Sequence, residues 1–492
     1  MTARWFAVST LSLGLFVGCS HSPKTQTTSL NDIHSQLNET EVLAVKSPTS
    51  VTELQEIVRA AKASGQAISI SGAKHAMGGQ QFGKDTVHIS MAAFNRILAL
   101  DVSKGIIELE SGVQWPELIQ YLWENQKTSK SPWGIIQKQT GADRLTIGGA
   151  ISANIHGRGL KMKPFVSDVD SFQLIDPNGD LKTCSRTENK ELFSLVAGGY
   201  GLFGIITSAK IRLSPRVKIK RVVKLTTIDE IPKLFKQKIK EGYLYGDFQY
   251  STDEKSDGYL KKGIFPTYIP VSPTTPIPSG QKEISEEGWT KFYELAHFAK
   301  DKAYQTYADH YMASSGQIYW SDTHQLSIYI DNYHQSLDKN HPEAKGTEMI
   351  TEVYVPRDKL PQFMAQVRTD FLKNKTDVFY GTIRLIEKDS ESFLTWAKQS
   401  YACIIFNLHV DHAPAGIEKA KAEFRGLIDR ALAFGGSYFL TYHRWATKEQ
   451  VLKAYPQFIE FLRLKMKYDP EERFQSDWYR HYKEMFSKEL AS

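Results

Sequence analysis

The stretch Ser69-Ile70-Ser71-Gly72-Ala73-Lys74-His75-Ala76-Met77-Gly78-Gly79 constrains the fold of this 492-residue chain more than any other. A strand-like run, Ala67 to Ser71, leads into it, and a helix is predicted ahead of that run over Val51 to Ser64. Leu54, Ile57, Val58 and Ala61 recur at helical spacing, Ser50 and Glu53 fit a capping box, and Gly65 fits a helix stop. Helix, strand and small-residue loop therefore follow one another. Gly72 has no Cβ, so backbone N–H groups around it can turn toward an anion. A pyrophosphate-bearing guest suits such a loop. An ordinary strand-to-loop turn with a surface histidine has the same sequence signature.

The length allows two domains with real cores, and 41% hydrophobic and 12% aromatic residues exclude a disordered chain. Net charge is +6 with Lys and Arg dispersed, so no nucleic-acid partner is expected. The N-terminus has its own texture. Arg4 precedes an apolar run, Trp5 to Val17, which is too short to span a bilayer as a finished helix. Phe16-Val17-Gly18-Cys19 resembles the lipobox of a bacterial lipoprotein. Residues 1–19 are then a signal peptide, with the mature chain starting at lipidated Cys19 and anchored to the outer membrane or a periplasm-facing membrane. Residues 20–41, polar and Ser/Thr-rich, read as a tether. Cys184 and Cys403 are too few for a disulfide framework or an iron–sulfur site.

Strands are expected over Thr86 to Met91 and Ile106 to Ser111, and a helix from Trp115 to about Asn125 with Pro116 in its first turn. A glycine-rich turn follows, Thr140 to Ser152, continuing through Asn154-Ile155-His156-Gly157. Ser171 to Thr183 reads as a hairpin turning at Asp176-Pro177-Asn178-Gly179. A helix, Glu188 to Ala197, then precedes Gly199-Tyr200-Gly201-Leu202-Phe203-Gly204. That last run fits the dinucleotide pattern G-x-G-x-x-G, but the pattern needs a strand before it and a helix after it. Here a helix precedes and the alternating, β-branched Ile205 to Leu213 follows, which excludes a Rossmann unit. Pro266 to Pro278 reads as a surface loop, and Val451 to Ser492 as an amphipathic helix with a polar end.

In this order, the Ser71-Gly72-Ala73-Lys74-His75 loop, Thr146-Ile147-Gly148-Gly149-Ala150, His156-Gly157 and Gly201-Leu202-Phe203-Gly204-Ile205-Ile206-Thr207 resemble the FAD-binding domain of the vanillyl-alcohol oxidase, or PCMH-type, flavoprotein family. The nearest texture is the sugar and aldonolactone oxidase branch. The resemblance implies an α+β protein. Residues 42–215 would be a PCMH-type FAD-binding domain of two α/β subdomains. Residues 216–455 would be an α+β substrate or cap domain with a mixed or antiparallel sheet. Residues 456–492 would return to the FAD domain, through Lys467-Tyr468-Asp469-Pro470 and Arg473-Phe474. FAD is the implied cofactor. Its implied contacts are Ser71, Gly72, Ala73, Lys74, His75, Ala76, Thr140, Gly141, Asp143, Thr146, Gly148, Gly149, Ser152, His156 and Ile206. His75 stands where relatives bond the flavin covalently; a hydrogen-bonding histidine over the ring is the alternative. Ala142 stands where bicovalent relatives carry a cysteine, so no second bond is expected. His156 is either a flavin neighbour or a packed histidine.

Oxidation by a flavin needs a group to take the substrate's proton and positive charge where the flavin gains negative charge. Three strand-like stretches of the cap offer candidates: Glu352 in Glu352 to Pro356, Arg384 in Tyr380 to Glu387, and His443 in Tyr438 to Arg444. Glu352, Arg384 and His443 are the expected catalytic residues, with His443 as general base. Asn407, His409, Asp411 and His412 lie close in sequence, but a strand would point His409 and His412 to opposite faces, so no metal site is expected. The reading is an FAD-dependent oxidoreductase acting on a hydroxyl group of a sugar, polyol or lactol-like small molecule. The electron acceptor would be oxygen, a quinone or a carrier. The alternatives are a catalytically silent flavin-binding lipoprotein and a flavin-dependent reductase of a double bond.

Overall fold

The computed structural model describes residues 27–327, 330, 333–342 and 346–491. The signal peptide and lipobox read from residues 1–19 lie outside the described residues, as do residues 20–26 of the expected tether.

The helix Val51–Ser64 forms where the periodicity puts it and buries Leu54, Val58 and Ala61. The Ser50 hydroxyl caps it by accepting from Glu53 N at 3.2 Å, and Gly65 ends it at φ 70°. Glu53 reaches one residue further back than a capping box requires and accepts from Thr49 N at 2.8 Å. This helix covers a parallel three-stranded sheet ordered Ala44–Lys46, Val87–Ser90, Ile68–Ser71.

A second sheet is antiparallel. Its order is Leu181–Ser185, Val169–Ile175, Ile205–Pro215, Ile106–Glu110, Ile97–Asp101, with Trp133–Ile135 also on the long strand Ile205–Pro215. Ile97–Asp101 escapes sequence reading because its short apolar run, Ile97 to Leu100, carries no alternation and none of its residues is fully buried. Ile175 and Ile205 from this sheet pack with Ile68, Ile89 and Phe474 in one core that joins the two sheets. Helix Lys190–Val196 precedes, and strand Ile205–Pro215 follows, the Gly199–Gly204 run, the inverse of a dinucleotide fold.

A third sheet of nine strands is built within residues 218–438, with every pairing antiparallel. Its middle holds Val378–Ile386, Tyr401–Val410 and Thr347–Pro356 side by side. Helices Leu360–Asn374 and Pro414–Ala433 pack on it through Phe363, Met364, Val367, Phe424, Leu427 and Ile428.

Three sequence expectations give way to packing. Residues 27–41 are not a free tether. Thr28–Leu30 pairs with Thr40–Val42, and buried Asp32 accepts from Ser35 N at 2.6 Å and from the Ser35 hydroxyl at 2.9 Å. Polar composition hid the segment because its order comes from side-chain-to-backbone hydrogen bonds, not from apolar periodicity. The first part of the expected Pro266–Pro278 loop is strand: Lys262–Pro270 pairs with Lys218–Thr227 along nine residues. The tail is not a helix with a polar end. Helices Phe458–Tyr468 and Asp477–Met485 bury Phe458, Phe461, Trp478, Tyr479 and Tyr482. Between them, Asp469 accepts from Arg473 N and Phe474 N, each at 2.8 Å. That turn lays the chain along Ile68, whose N–H donates to Arg473 O at 2.6 Å and whose carbonyl accepts from Gln475 N at 2.8 Å.

Candidate functional site

A single cavity of about 870 Å³ runs from the loop after Ile68–Ser71 to the face of the nine-stranded sheet. Ser71, Gly72, Ala73, Lys74, His75, Ala76, Thr140, Gly141, Asp143, Thr146, Gly148, Gly149, Ser152, His156 and Ile206 all line it. So do Glu352 and Arg384 from the cap sheet.

The loop end is shaped by close backbone approach. A Cβ on Gly72 would stand 2.1 Å from Thr146 Oγ1, and one on Gly148 2.8 Å from Ser111 Cβ. The glycine-rich block is no simple turn. Thr146 caps a short helix, Ile147–Ala153, by accepting from Gly149 N at 3.2 Å. Gly148 N donates to Ser111 O at 2.8 Å. The N–H groups of Gly148 and Gly149, two of the implied FAD contacts, are thus engaged inside the protein, and Gly148 lets the helix lie against Ser111. Among the described residues, the backbone N–H groups of Ala73, Lys74, His75 and Ala76 donate to nothing. Lys74 sits at φ 60°, the left-handed turn that points successive N–H groups to one side. The His75 loop is therefore the candidate anion cradle. Asp143 is occupied elsewhere, on Lys138 Nζ at 2.7 Å and on Ser327 N at 2.8 Å. Burial lowers the Lys138 ammonium to about 8, against the pull of Asp143.

His75 Nδ1 lies 2.7 Å from His34 Nε2, while its own Nε2 is buried without a hydrogen bond of normal geometry. Burial first, and then the His34 ring, hold the His75 imidazole well below its ordinary value, against a weaker pull from the Arg144 backbone. A neutral imidazole with one free nitrogen is a nucleophile. His34 had no signal in the sequence, because it sits in the stretch read as tether.

At the cap end, strand alternation puts Glu348, Ile350 and Glu352 on the cavity side, and Asn407 and Ile405 stand opposite Ile350 and Glu352 on the neighbouring strand. Glu352 Oε1 is 2.6 Å from His156 Nε2, and its Oε2 accepts from the Tyr442 hydroxyl at 3.2 Å. His156 Nδ1 faces Gly157 O at 3.0 Å, so both ring nitrogens face oxygen atoms. Burial pushes the Glu352 carboxyl up, but His156, its hydrogen bond and Arg384 outweigh that and hold it below its ordinary value. His156 is thus a buried partner of a carboxylate in the cavity wall, packed on Trp396 with ring centroids 5.2 Å apart. Arg384 reaches the same cavity with its Nε buried and unpartnered.

His443 does not join them. The turn after Ser437–Tyr438 presents Thr441 and Tyr442 to the cavity. His443 turns the other way and stacks on Trp445 with centroids 4.4 Å apart, its imidazole lowered to about 4 chiefly by burial. The expectation placed the cavity group one residue too late, because a two-residue strand gives no alternation to fix the phase.

The remaining lining suits a flat, polar-edged guest. The His75 Nε2, Thr140 Oγ1 and Ser111 Oγ atoms line it, buried and unpartnered, beside the glycine cradle. Residues 42–185 match a protein family described as FAD binding domain. Over 178 residues the chain is 31% identical to an uncharacterized oxidoreductase, ORF5 in the fasciation locus of Rhodococcoides fascians, covering 36% of this chain and 39% of that protein. It is 29% identical over 195 residues to cytokinin dehydrogenase 9 of Oryza sativa subsp. japonica, 38% of this chain and 36% of the relative. With cytokinin dehydrogenase 1 of Arabidopsis thaliana it shares 33% over 181 residues, 35% of this chain and 30% of the relative. The chain spans less than two fifths of the length of these curated relatives. The likeness reaches the PCMH-type FAD-binding family and not the sugar-oxidase branch within it. Residues 42–185 therefore resemble an FAD-binding domain of the PCMH type, FAD is the cofactor, and this cavity is its candidate site.

Proposed function

We propose that the chain is an FAD-linked oxidoreductase that oxidises a small molecule at a carbon bearing a hydroxyl group, with Glu352 as the proton acceptor. The observation that carries the reading is the Glu352 carboxylate, buried in the wall of the FAD cavity and held ionised between His156 and Tyr442. Bound FAD supplies the acceptor for the hydride that leaves the substrate carbon. The hydroxyl proton leaves to Glu352, directly or through the Tyr442 hydroxyl, and His156 holds the carboxylate in place. Arg384 brings fixed positive charge to the cavity wall. A sugar, polyol or lactol satisfies this arrangement. So does a C–H bond beside an amine nitrogen, and the names of the cytokinin dehydrogenase relatives favour that second reading. We also propose the covalent His75–flavin bond and lipid anchoring at Cys19. The anchor rests on the sequence: Arg4, the apolar run Trp5 to Val17 and Phe16-Val17-Gly18-Cys19. Its test is whether Cys19→Ala leaves the membrane fraction or stays unprocessed.

The function is tested by mixing flavin-loaded protein anaerobically with a series of aldoses, polyols and lactols and a series of secondary amines. Bleaching of the visible flavin band by a member of the first series is expected. Bleaching by amines alone moves the assignment to the C–N reading. A flavin that dithionite reduces and neither series touches contradicts both and leaves a flavin-binding protein.

A further inference from the structure

A second cluster sits farther along the cap sheet, where Glu348 and His409 face each other in register on neighbouring strands. His409 Nδ1 lies 3.2 Å from Glu348 Oε1. His297, in the last turn of helix Glu286–Phe298, comes down on the same oxygen, its Nε2 also 3.2 Å away. His334 Nε2 contacts the other oxygen, Oε2. Three imidazoles from three separate elements thus converge on one buried carboxylate. No metal site is expected from Asn407, His409, Asp411 and His412 on sequence grounds; His409 nevertheless joins this cluster, while His412 turns away to the Thr347 hydroxyl at 2.7 Å.

Hydrogen bonding alone accounts poorly for this cluster. Two ring nitrogens crowd one oxygen, and His297 Nε2, buried, makes no hydrogen bond of normal geometry to it. The donor atoms of His297, Glu348 and His409 all lie within 4.8 Å of one another. A tetrahedral ion with bonds of about 2.0–2.1 Å separates its ligand atoms by roughly 3.3 Å, and the two nitrogen-to-oxygen separations are 3.2 Å. Two imidazoles and a carboxylate suit a borderline transition metal, and a carboxylate ligand is ordinarily steadied by a hydrogen bond to its second oxygen. His334 is placed to give that bond.

We propose that His297, Glu348 and His409 bind one Zn²⁺ ion, with His334 orienting Glu348. Of these, Glu348 lines the FAD cavity, so the fourth ligand is a water or a donor atom of a molecule in that cavity. The ion would tie helix Glu286–Phe298 to strands Thr347–Pro356 and Tyr401–Val410 and so fix one wall of the cavity.

The test uses tag-free, flavin-loaded protein, stripped with a chelator and titrated with Zn²⁺ against a chromophoric competitor. One tight zinc per chain is expected, with a rise in Tm on binding. His297→Gln, His409→Gln and Glu348→Gln should each weaken zinc by more than about 100-fold and abolish the rise, and His334→Gln should weaken it about 10- to 100-fold. Retention of the flavin spectrum checks that each variant is folded. Wild type that binds no zinc overturns the proposal, whatever the variants do. Wild-type affinity in Glu348→Gln, the mildest ligand change, also overturns it, because the ion would then sit elsewhere. Zinc binding is read without substrate, so either result leaves the oxidoreductase reading where it stands.

Discussion

His34 Nε2 stands 2.7 Å from His75 Nδ1, so a residue ahead of the first parallel strand sets the orientation of the His75 ring in the cavity wall. The contact spends Nδ1 and leaves Nε2 as the His75 atom without a hydrogen bond of normal geometry. Lowering of the imidazole by burial and by His34 keeps the ring neutral at neutral pH. Acid-precipitated wild type should therefore stay yellow, and its tryptic peptide containing His75 should carry the mass of FAD. His75→Ala should bind FAD and release it into the acid supernatant. His34→Ala should slow the attachment without preventing binding. Complete release from wild type would return His75 to a non-covalent neighbour.

Gly72 and Thr146 meet so closely that any side chain at 72 displaces the cap of helix Ile147–Ala153. Gly72→Ala should weaken FAD binding and destabilise the protein by about 1–3 kcal/mol. Thermal melts with and without added FAD check this. An unchanged Tm and unchanged FAD affinity would mean that the loop yields freely.

Asp168 is buried beneath the antiparallel sheet, where it accepts from Gln137 Nε2 at 3.0 Å and from the Ser167 hydroxyl at 2.9 Å. Burial raises its carboxyl from 3.8 to about 7, more than these hydrogen bonds oppose. A carboxyl raised on folding keeps its proton in the native state and loses it on unfolding. Its contribution is thus most favourable below 3.8, declines as pH rises toward about 7, and is level above that. Asp168→Asn should accordingly gain stability relative to wild type between pH 5 and pH 8. Denaturant unfolding of both proteins at the two pH values measures the difference, and a gap independent of pH would contradict it.

The local part of this structure was legible in the sequence. Helix Val51–Ser64, its Ser50 and Gly65 ends, the strand into Gly72 and the inverted order around Gly199–Gly204 all follow from short-range pattern and backbone freedom. The FAD end of the cavity was legible for the same reason, since its residues sit in three short glycine-bearing blocks. The cap end was not. Glu352 meets His156 across 196 positions, and His297 meets Glu348 and His409 through three elements whose spacing carries no signal. The sequence does not distinguish Tyr442 from His443, because a turn after a two-residue strand has no periodicity to fix which of them faces the cavity. The buried tail escaped because Trp478, Tyr479 and Tyr482 are interleaved with charged residues that a composition-based reading takes for surface.

The most direct test of the account is the rate of anaerobic flavin reduction in Glu352→Gln, by whichever substrate bleaches wild type, with His443→Ala beside it. Glutamine keeps the shape of the side chain but cannot take a proton. The account predicts that Glu352→Gln binds FAD normally and reduces it about 10²- to 10⁴-fold more slowly, while His443→Ala, facing away from the cavity, stays within a few-fold of wild type. A Glu352→Gln protein that reduces its flavin at the wild-type rate would contradict the assignment of Glu352 as proton acceptor.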